Sequence, residues 1–558
     1  MSAPGHIDSF SVTHLPIVKE YARRMGLVEI IDVALSCGMR ACPGKIVLGL
    51  IMNVLCGRSP IYRVEEFFQM RDVPLLLGEN MAAEMLNDDA IGRVLDRVYD
   101  YGTWKLFSEV CIQAFHNFNV DCSIIHEDTT SVNLWGEYVP RSDDPMRITY
   151  GFSKDKRPDL KQFVLSLLCV EGNLPCHAGI LDGNSSDKKI NGNILAELPR
   201  IMARYGAGEH EFIYVADSAL ATKDNLSLMK DDIRFITRLP ENFGMCGELI
   251  GTAIAATTSW QSVGQISQRV VNGKNTCASY RIQEASVDLE GRIYRAVIAH
   301  SDAHDRRRRK RIEKAVQKDK ATLVKRAQEL SRKKFFCLPD AQAAAAAFPS
   351  GALHKTDFVF AEHPVYGRGR PCVNEARPVK SKQYVVVVKV SENSAAIEKL
   401  REKAGCFVLL TNVTAKEKSA LEILKTYKEQ DGIEKNFGFL KDPLVVNDTF
   451  LKTPSRIEAL GLVLVISLLL WRLMERAMRS RTAEESSTLT GWNNGKTAKP
   501  TSFMMVSKFS SVVIGVQKGK RFLFNQLNKV QLEYLHALGV HQNIFTEVGL
   551  MPGCIRSG

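Results

Sequence analysis

Three side chains in the stretch Tyr427 to Lys441, YKEQDGIEKNFGFLK, are spaced to act together: Glu434 follows Tyr427 by seven residues and precedes Lys441 by seven. A helix turns once in about 3.6 residues, so positions seven apart return to nearly the same angle and the three form a stripe about 20 Å long. A stripe of that length suits a polymer better than a small molecule. Two further carboxylates add a second chemistry. CSIIHEDTTSVNLWGEY passes through a short apolar strand, Ser123 to Ile125, and delivers Asp128 followed by Thr129 and Thr130. EFIYVADSALATKDNL repeats the pattern: the strand Phe212 to Ala216 is followed directly by Asp217, before a helix beginning near Thr222. An acid at a strand end with hydroxyls behind it is a common metal-site arrangement. The plainer readings are a helix N-cap or turn for each Asp, and a solvated Lys/Glu-rich face for the stripe.

These residues need elements to hold them. Between the two aspartates lies YGFSKDKRPDLKQF, Tyr150 to Phe163, then a strand Val164 to Val170, the turn EGNLP, and a strand near His177 to Leu181, which together read as a β-hairpin. With a strand leading to Asp128, one leading to Asp217 and a further one at Arg234 to Leu239, the pattern predicts a five-strand mixed sheet.

The tyrosine, glutamate and lysine spacing resembles the signature of DDE transposases of bacterial insertion sequences, in which an arginine stands where this chain has Gln430. GFSKDKRPDLKQ, GNSSD at Gly183 to Asp187 and FITRLP at Phe235 to Pro240 are similar to segments of the insertion sequence 4 superfamily, most closely its insertion sequence 1634 group. The resemblance covers roughly residues 1 to 475. It implies an α/β, ribonuclease H-like fold in which Asp128, Asp217 and Glu434 hold two divalent ions, Mg²⁺ or Mn²⁺. Hard oxygen donors without His or Cys suit those ions, and two such cations activate water and stabilise a departing 3′ oxyanion. The implied activity is binding of terminal inverted repeats, cleavage at the element ends and transfer of the 3′ hydroxyls to target DNA. By resemblance Tyr427, Gln430 and Lys441 position the strand near the scissile phosphate. Lys441 offers a cation and Tyr427 a stacking or hydrogen-bonding surface. Gln430 in place of arginine removes a bidentate phosphate contact.

The interval from Asp217 to Glu434 is more than twice that from Asp128 to Asp217, so something is inserted. It opens with β-like text, Thr276 to Ser301, and turns into a basic helix, Asp305 to Lys334. A strand pair follows near Phe358 to Ala361 and Tyr384 to Val390, and Gly405 to Val413 reads as the strand that returns to the sheet. Related transposases carry a β-rich insertion before the catalytic Glu that contacts the cleaved DNA end. Arg306, Arg307, Arg308 and Arg309 open an unbroken positive run to Arg311 that suits a phosphate backbone, while Ile312, Val316, Leu323 and Leu330 mark an apolar side for docking. Arg368, Gly369, Arg370 and Pro371 follow the order of a minor-groove AT-hook core, or make an ordinary turn.

Residues 11 to 120 read as helices, with Asn87 or Asp88 capping one of them, and by resemblance this part recognises the inverted repeats. The expected organisation is a helical N-terminal domain, 1–118; the first part of the catalytic domain, 119–250; the β-rich and basic insertion, 251–404; the remainder of the catalytic domain, 405–480; and a C-terminal tail, 481–558, that contacts DNA or a second subunit. Ala459 to Trp471 is apolar on all sides but, at 13 residues, shorter than the roughly 20 needed to span a bilayer, and reads as a buried core helix.

The chain has 558 residues, 45% of them hydrophobic, and a net charge of +12, which favours a polyanionic partner. Its 13 cysteines, odd in number and without a CxxC pair, read as reduced residues of an intracellular protein. No signal-peptide core opens the sequence, so the expected place is the bacterial cytoplasm, associated with the nucleoid, with double-stranded DNA as partner, no membrane, and a homodimer on the DNA. A non-transposing nuclease of the same fold would not need the long insertion. A catalytically inactive or domesticated DNA-binding derivative would be expected to have lost a carboxylate, and all three are present.

Overall fold

The structure is a computed structural model and describes residues 7–35, 41–57, 59–139, 141–142, 144–208, 211–229, 233–271, 274–289, 291–368, 377–441 and 453–549. The chain divides into two compact units, Met1–Thr237 with Thr426–Gly558, and Arg238–Lys425.

The first unit begins with a strand, β1 (Asp8–Ser11), and a group of helices: α1 (Leu15–Met25), α2 (Leu27–Leu35), α3 (Pro43–Cys56), α4 (Val64–Gln69), α5 (Val73–Leu77), α6 (Asp88–Tyr101) and α7 (Thr103–Phe118). Their pattern explains them. In α6 the Asn87 side chain caps the N-terminus by accepting from the Ala90 N–H, and Ile91, Val94, Leu95 and Val98 recur at helical spacing on the buried face.

A mixed sheet follows, built from β2 (Ile124–Leu134), β3 (Lys161–Val170), β4 (Leu174–Leu181), β5 (Ile213–Ala216) and β6 (Arg234–Arg238), with α8 (Asp187–Ala203) and α9 (Lys223–Met229) as connections. Spatial order is β4-β3-β2-β5-β6. β3 pairs antiparallel with β2 and β4, whereas β5 runs parallel to both β2 and β6. One expectation is corrected here. Asp128 does not end its strand but lies inside it, because β-branched Thr129, Thr130 and Val132 continue the extended run and β3 pairs with it as far as Leu134.

In the second unit, α10 (Gly244–Ala255) precedes β7 (Gln261–Val271), β8 (Lys274–Leu289) and β9 (Arg292–Ser301). Then come the long α11 (Asp302–Ser331), α12 (Leu338–Ala346), the hairpin of β10 (His354–Tyr366) and β11 (Val379–Glu392), α13 (Ser394–Lys403) and β12 (Cys406–Thr411). β12, β9, β8 and β7 lie side by side, each antiparallel to the next. Ile312 packs with Ile397 and Ala404, and Leu330 with Ala341, Ala345 and Val386, so α11 docks through its apolar side.

After α14 (Ala420–Glu429) the chain returns to the first unit with α15 (Asp431–Leu440) and α16 (Pro454–Glu484). Among the described residues α16 is long and apolar enough to cross a membrane by length and composition, yet its apolar window is 83% buried within the protein. It packs against α3, α6, α7 and β4, as a core helix does. The C-terminal segment belongs to the same core: Val513–Gln517 pairs antiparallel with β1, Arg521 forms a two-bond ion pair with buried Asp72, and the Tyr21 hydroxyl donates to the Leu538 carbonyl. Cys111, Cys169 and Cys176 are buried free thiols, while Cys42 departs from the expected reduced set by being disulfide-bonded.

Candidate active site

The register of the parallel β2–β5 pair sets the acid site. His126 lies opposite Val215, so two residues further along each strand Asp128 and Asp217 come to the same level, side by side. Each is fixed by a short local bond: Asp128 Oδ1 accepts from the Thr129 N–H at 2.8 Å, and Asp217 Oδ1 from the Ala219 N–H at 2.8 Å. Asp217 is therefore a turn residue as well as a site residue. Thr237 Oγ1 donates to the Asp217 carbonyl at 2.6 Å and ties it to β6. Burial pushes the Asp128 carboxyl up to about 6; Lys154 and the Thr129 N–H pull it down, and Asp217 and Asp187 push it up again. Asp217 is raised too, by burial first and by Asp187.

Sequence reasoning did not single out Lys154, Asp187 and Glu127. Asp187 opens α8 and its Oδ1 accepts from Thr129 Oγ1 at 2.6 Å. The Lys154 ammonium donates to both the carbonyl and the hydroxyl of Thr129, each at 2.7 Å, and stands 3.5 Å from Asp187 and 4.0 Å from Asp128. Glu127 is only 2% exposed, and its Oε1 has no hydrogen-bond partner among the described residues. Burial, with Asp128, Asp217 and Asp187 nearby, holds its carboxyl well above the usual range. The available signal was the pair of segments GFSKDKRPDLKQ and GNSSD, which carry Lys154 and Asp187.

The stripe is rearranged. The helix breaks at Gln430, so Tyr427 sits on α14 and Glu434 on α15, and the three side chains do not share one straight helical face. The cause is local: Asp431 and Gly432 are poor helix-interior residues, and Asp431 with Glu434 suits a new N-terminal turn. α15 is nonetheless anchored along its length. Gln430 Nε2 donates to the Glu127 carbonyl at 3.2 Å, and Lys441 pairs with Asp155 at 2.7 Å. Buried Asn436 donates to the Asn173 carbonyl at 2.9 Å and accepts from Arg472 Nε at 2.7 Å. Gly432 lies so close to Asn173 that any Cβ there would clash. Glu434 itself is on the exposed side, and among the described residues no hydrogen bond or ion pair joins it to Asp128 or Asp217. Nor do any three His, Cys, Asp or Glu side chains among the described residues group closely enough to hold one ion.

Residues 7–112 match the family model of a domain of unknown function, DUF4277. No curated protein matches the chain. The matched segment spans β1 and the helices up to most of α7, and stops short of every acid described above.

The basic candidates lie elsewhere. On α11, Arg306 pairs with Asp302 at 3.1 Å and Arg309 with Asp305 at 3.0 Å, while Arg308 meets Glu241 and Arg307 Nε donates to the Ala303 carbonyl at 3.3 Å. These guanidinium groups are thus partly engaged within the protein rather than free, although Arg306, Arg307 and Arg309 remain exposed. Arg368 is exposed; Arg370, with Gly369 and Pro371, lies outside the described residues. Exposed aromatic side chains on the segments around Lys154 are a feature the sequence reading missed. Trp135, Tyr150 and Phe152 are exposed, Phe152 by 90%, on the segments flanking Lys154, and the Arg157 guanidinium stands 5.1 Å from the Trp135 ring centre.

In donor chemistry the acid site fits a hard cation. Asp128, Asp187 and Asp217 offer only oxygen, Asp187 helps to raise both Asp128 and Asp217, and Glu127 adds a buried carboxyl with an unpartnered oxygen. Positive charge is what such a group lacks.

Proposed function

We propose that this chain is a metal-dependent DNA transposase of the DDE kind, cleaving at element ends and transferring the 3′ hydroxyls to target DNA. The observation that carries the reading is the β2–β5 register, which sets two partly buried, pKa-raised aspartates side by side where a divalent ion relieves their repulsion. Three antiparallel strands followed by two parallel ones, in the order β4-β3-β2-β5-β6, support a ribonuclease H-like core. Asp128 and Asp217 would hold Mg²⁺ or Mn²⁺, with Glu434 assigned as third ligand by the family resemblance. Bound there, the ions supply an activated water and a counter-charge for the departing oxyanion.

The protein's own groups do the rest. Gln430, Asn436 and Lys441 hold α15 against the sheet and so set the height of Glu434 beside β2. Exposed Trp135, Tyr150 and Phe152 offer stacking surfaces for unpaired bases at a cleaved end. The Arg306–Arg309 run and the net charge of +12 favour a phosphate backbone. A homodimer on DNA, inverted-repeat recognition by the N-terminal helices and a cytoplasmic, nucleoid-associated location complete the proposal.

The test is cleavage of a labelled duplex carrying the element's terminal repeat, with Mg²⁺ or Mn²⁺, by wild type and Glu434→Gln. Metal-dependent nicking at the repeat end that is lost in the variant, with gel-shift binding retained, is the expected result. Equal cleavage by both removes Glu434 from the site; binding without cleavage by either favours the DNA-binding derivative.

A further inference from the structure

GFSKDKRPDLKQ and GNSSD, the two segments the aspartate–glutamate triad leaves unused, meet at the acid site. Lys154 from the first lies among four oxygens: the Thr129 carbonyl and hydroxyl at 2.7 Å, Asp187 Oδ2 at 3.5 Å and Asp128 Oδ1 at 4.0 Å. Carboxylate, carbonyl and hydroxyl are the donor types that hard divalent cations take. The lysine is held there from both ends, since its own backbone N–H donates to Ser131 Oγ at 2.9 Å. Asp187 from the second segment is oriented by Thr129 Oγ1 at 2.6 Å, which turns its other oxygen toward the ammonium. Around this single cation stand Asp128, Asp187 and Asp217 and, behind them, Glu127, which is 2% exposed with an unpartnered Oε1. Asp128, Asp187 and Asp217 outnumber this one ammonium, and the buried Glu127 oxygen beside Asp128 in sequence is left without a hydrogen-bond partner among the described residues.

We propose that Lys154 is a tethered cation holding one cation position of the acid site, and that a divalent ion which Asp187 helps to ligate displaces it. The idea rests on the metal-site reading above and adds two residues to it. Displacement needs only rotation of the flexible lysine stem: the ammonium leaves the Thr129 and Asp187 oxygens, the ion takes them, and no bond is made or broken within the chain. The lysine then competes with the ion, lowering its affinity, and keeps mutually repelling carboxylates in place until it binds.

Mn²⁺ binding to the full chain, measured by electron paramagnetic resonance of the free ion, tests this directly, without any activity readout. Lys154→Met removes the competitor and keeps the stem, so Mn²⁺ should bind about tenfold or more tightly than to wild type. Lys154→Arg retains the competing charge and should stay close to wild type. Asp187→Asn should weaken binding about tenfold in both the wild-type and the Lys154→Met backgrounds, which keeps the proposal testable if one single variant fails to fold. Unchanged or weaker binding by a folded Lys154→Met overturns the tethered cation, and unchanged binding by Asp187→Asn removes that residue as a ligand. Asp217→Asn separates the two levels. If wild type binds Mn²⁺ and Asp217→Asn does not, the metal site stands whatever Lys154 does; if neither wild type nor Lys154→Met binds Mn²⁺, the metal-site reading fails and this proposal with it.

Discussion

The candidate site has a sheet-borne half and a helix-borne half, and they are built on opposite plans. Asp128 stands on β2 and Asp217 directly after β5, at the end of a ladder that sets their relative height, and both are partly buried with raised carboxyls. Glu434 stands on the exposed side of a short helix, and it is the neighbours of Glu434, rather than Glu434 itself, that are bonded to the rest of the unit. A ladder of backbone hydrogen bonds positions every side chain along it, whereas a helix held at three points positions those between them less rigidly. The sheet thus gives the candidate site its charge problem, and the helix carries Glu434, the proposed third ligand.

The sharpest way to break this contrast is to remove one acid from each half and read cleavage and Mn²⁺ binding separately. Asp217→Asn and Glu434→Gln should each lower metal-dependent nicking by about a thousandfold or more, since both would be lost ligands. Only Asp217→Asn should nearly abolish Mn²⁺ binding without DNA, because the pre-set pair is carried by β2 and the turn that ends β5. Equal loss of binding in both variants would mean that the helix arm is as preorganised as the sheet.

The same contrast decides what the sequence revealed. Strands of β-branched and apolar residues around an acid were readable from short-range pattern, so the sheet and the aspartates at β2 and β5 could be named without a structure. The limit of β2 was not, because an acid followed by hydroxyl residues suits a strand end as well as a strand interior, and the pairing of Thr129, Thr130 and Ser131 with β3 is a long-range contact. Nor was the break at Gln430 foreseen: the seven-residue spacing assumed one continuous helix, and Asp431–Gly432 interrupts it. Asp187 and Lys154 lie within recognisable motifs, but their meeting across Thr129 is a tertiary event that no local spacing encodes. The basic run of α11 was legible as charge, but its ion pairs to Asp302, Asp305 and Glu241 follow from helical spacing and from folding.

Next in size is the anchor of the helix arm. Asn436 is fully buried, and its side chain joins the β3–β4 turn to Arg472, itself buried and paired with Glu475. Asn436→Ala leaves the guanidinium and the Asn173 carbonyl without that partner, which should cost about 3 kcal/mol in denaturant unfolding. Asn436→Asp keeps an acceptor for Arg472 and should lose less. A change below about 0.5 kcal/mol in the alanine variant would mean that α15 is held by its apolar face alone.

The sheet half has a pH signature that the helix half lacks. Asp128 is raised from 3.8 to about 6, so between those values the folded protein binds more protons than the unfolded chain. Stability from this group is therefore greatest below pH 4 and falls as pH rises through 6, by up to about 3 kcal/mol. Wild type should accordingly gain stability relative to Asp128→Asn when acidified from pH 7 to pH 5 in the presence of a chelator. Parallel curves for the two proteins would remove the strained carboxylate from the account.

The smallest effect separates two uses of Lys441. Its ammonium closes the far end of α15 onto Asp155, which Asn133 also holds at 3.1 Å. Asp155 is 42% exposed, so the pair should contribute less than about 1 kcal/mol and Lys441→Ala should barely move the unfolding midpoint. A phosphate contact would appear elsewhere. If Lys441 serves DNA, Lys441→Ala weakens duplex binding and lowers the salt slope by about one ion, whereas Asp155→Ala frees the ammonium and leaves binding equal or tighter. If the pair serves only to seat α15, the two alanine variants behave alike, with the same small loss of cleavage and no change in salt slope. Lys441 then belongs to the anchoring of Glu434, and the helix arm would meet DNA through Tyr427 and the exposed aromatics instead.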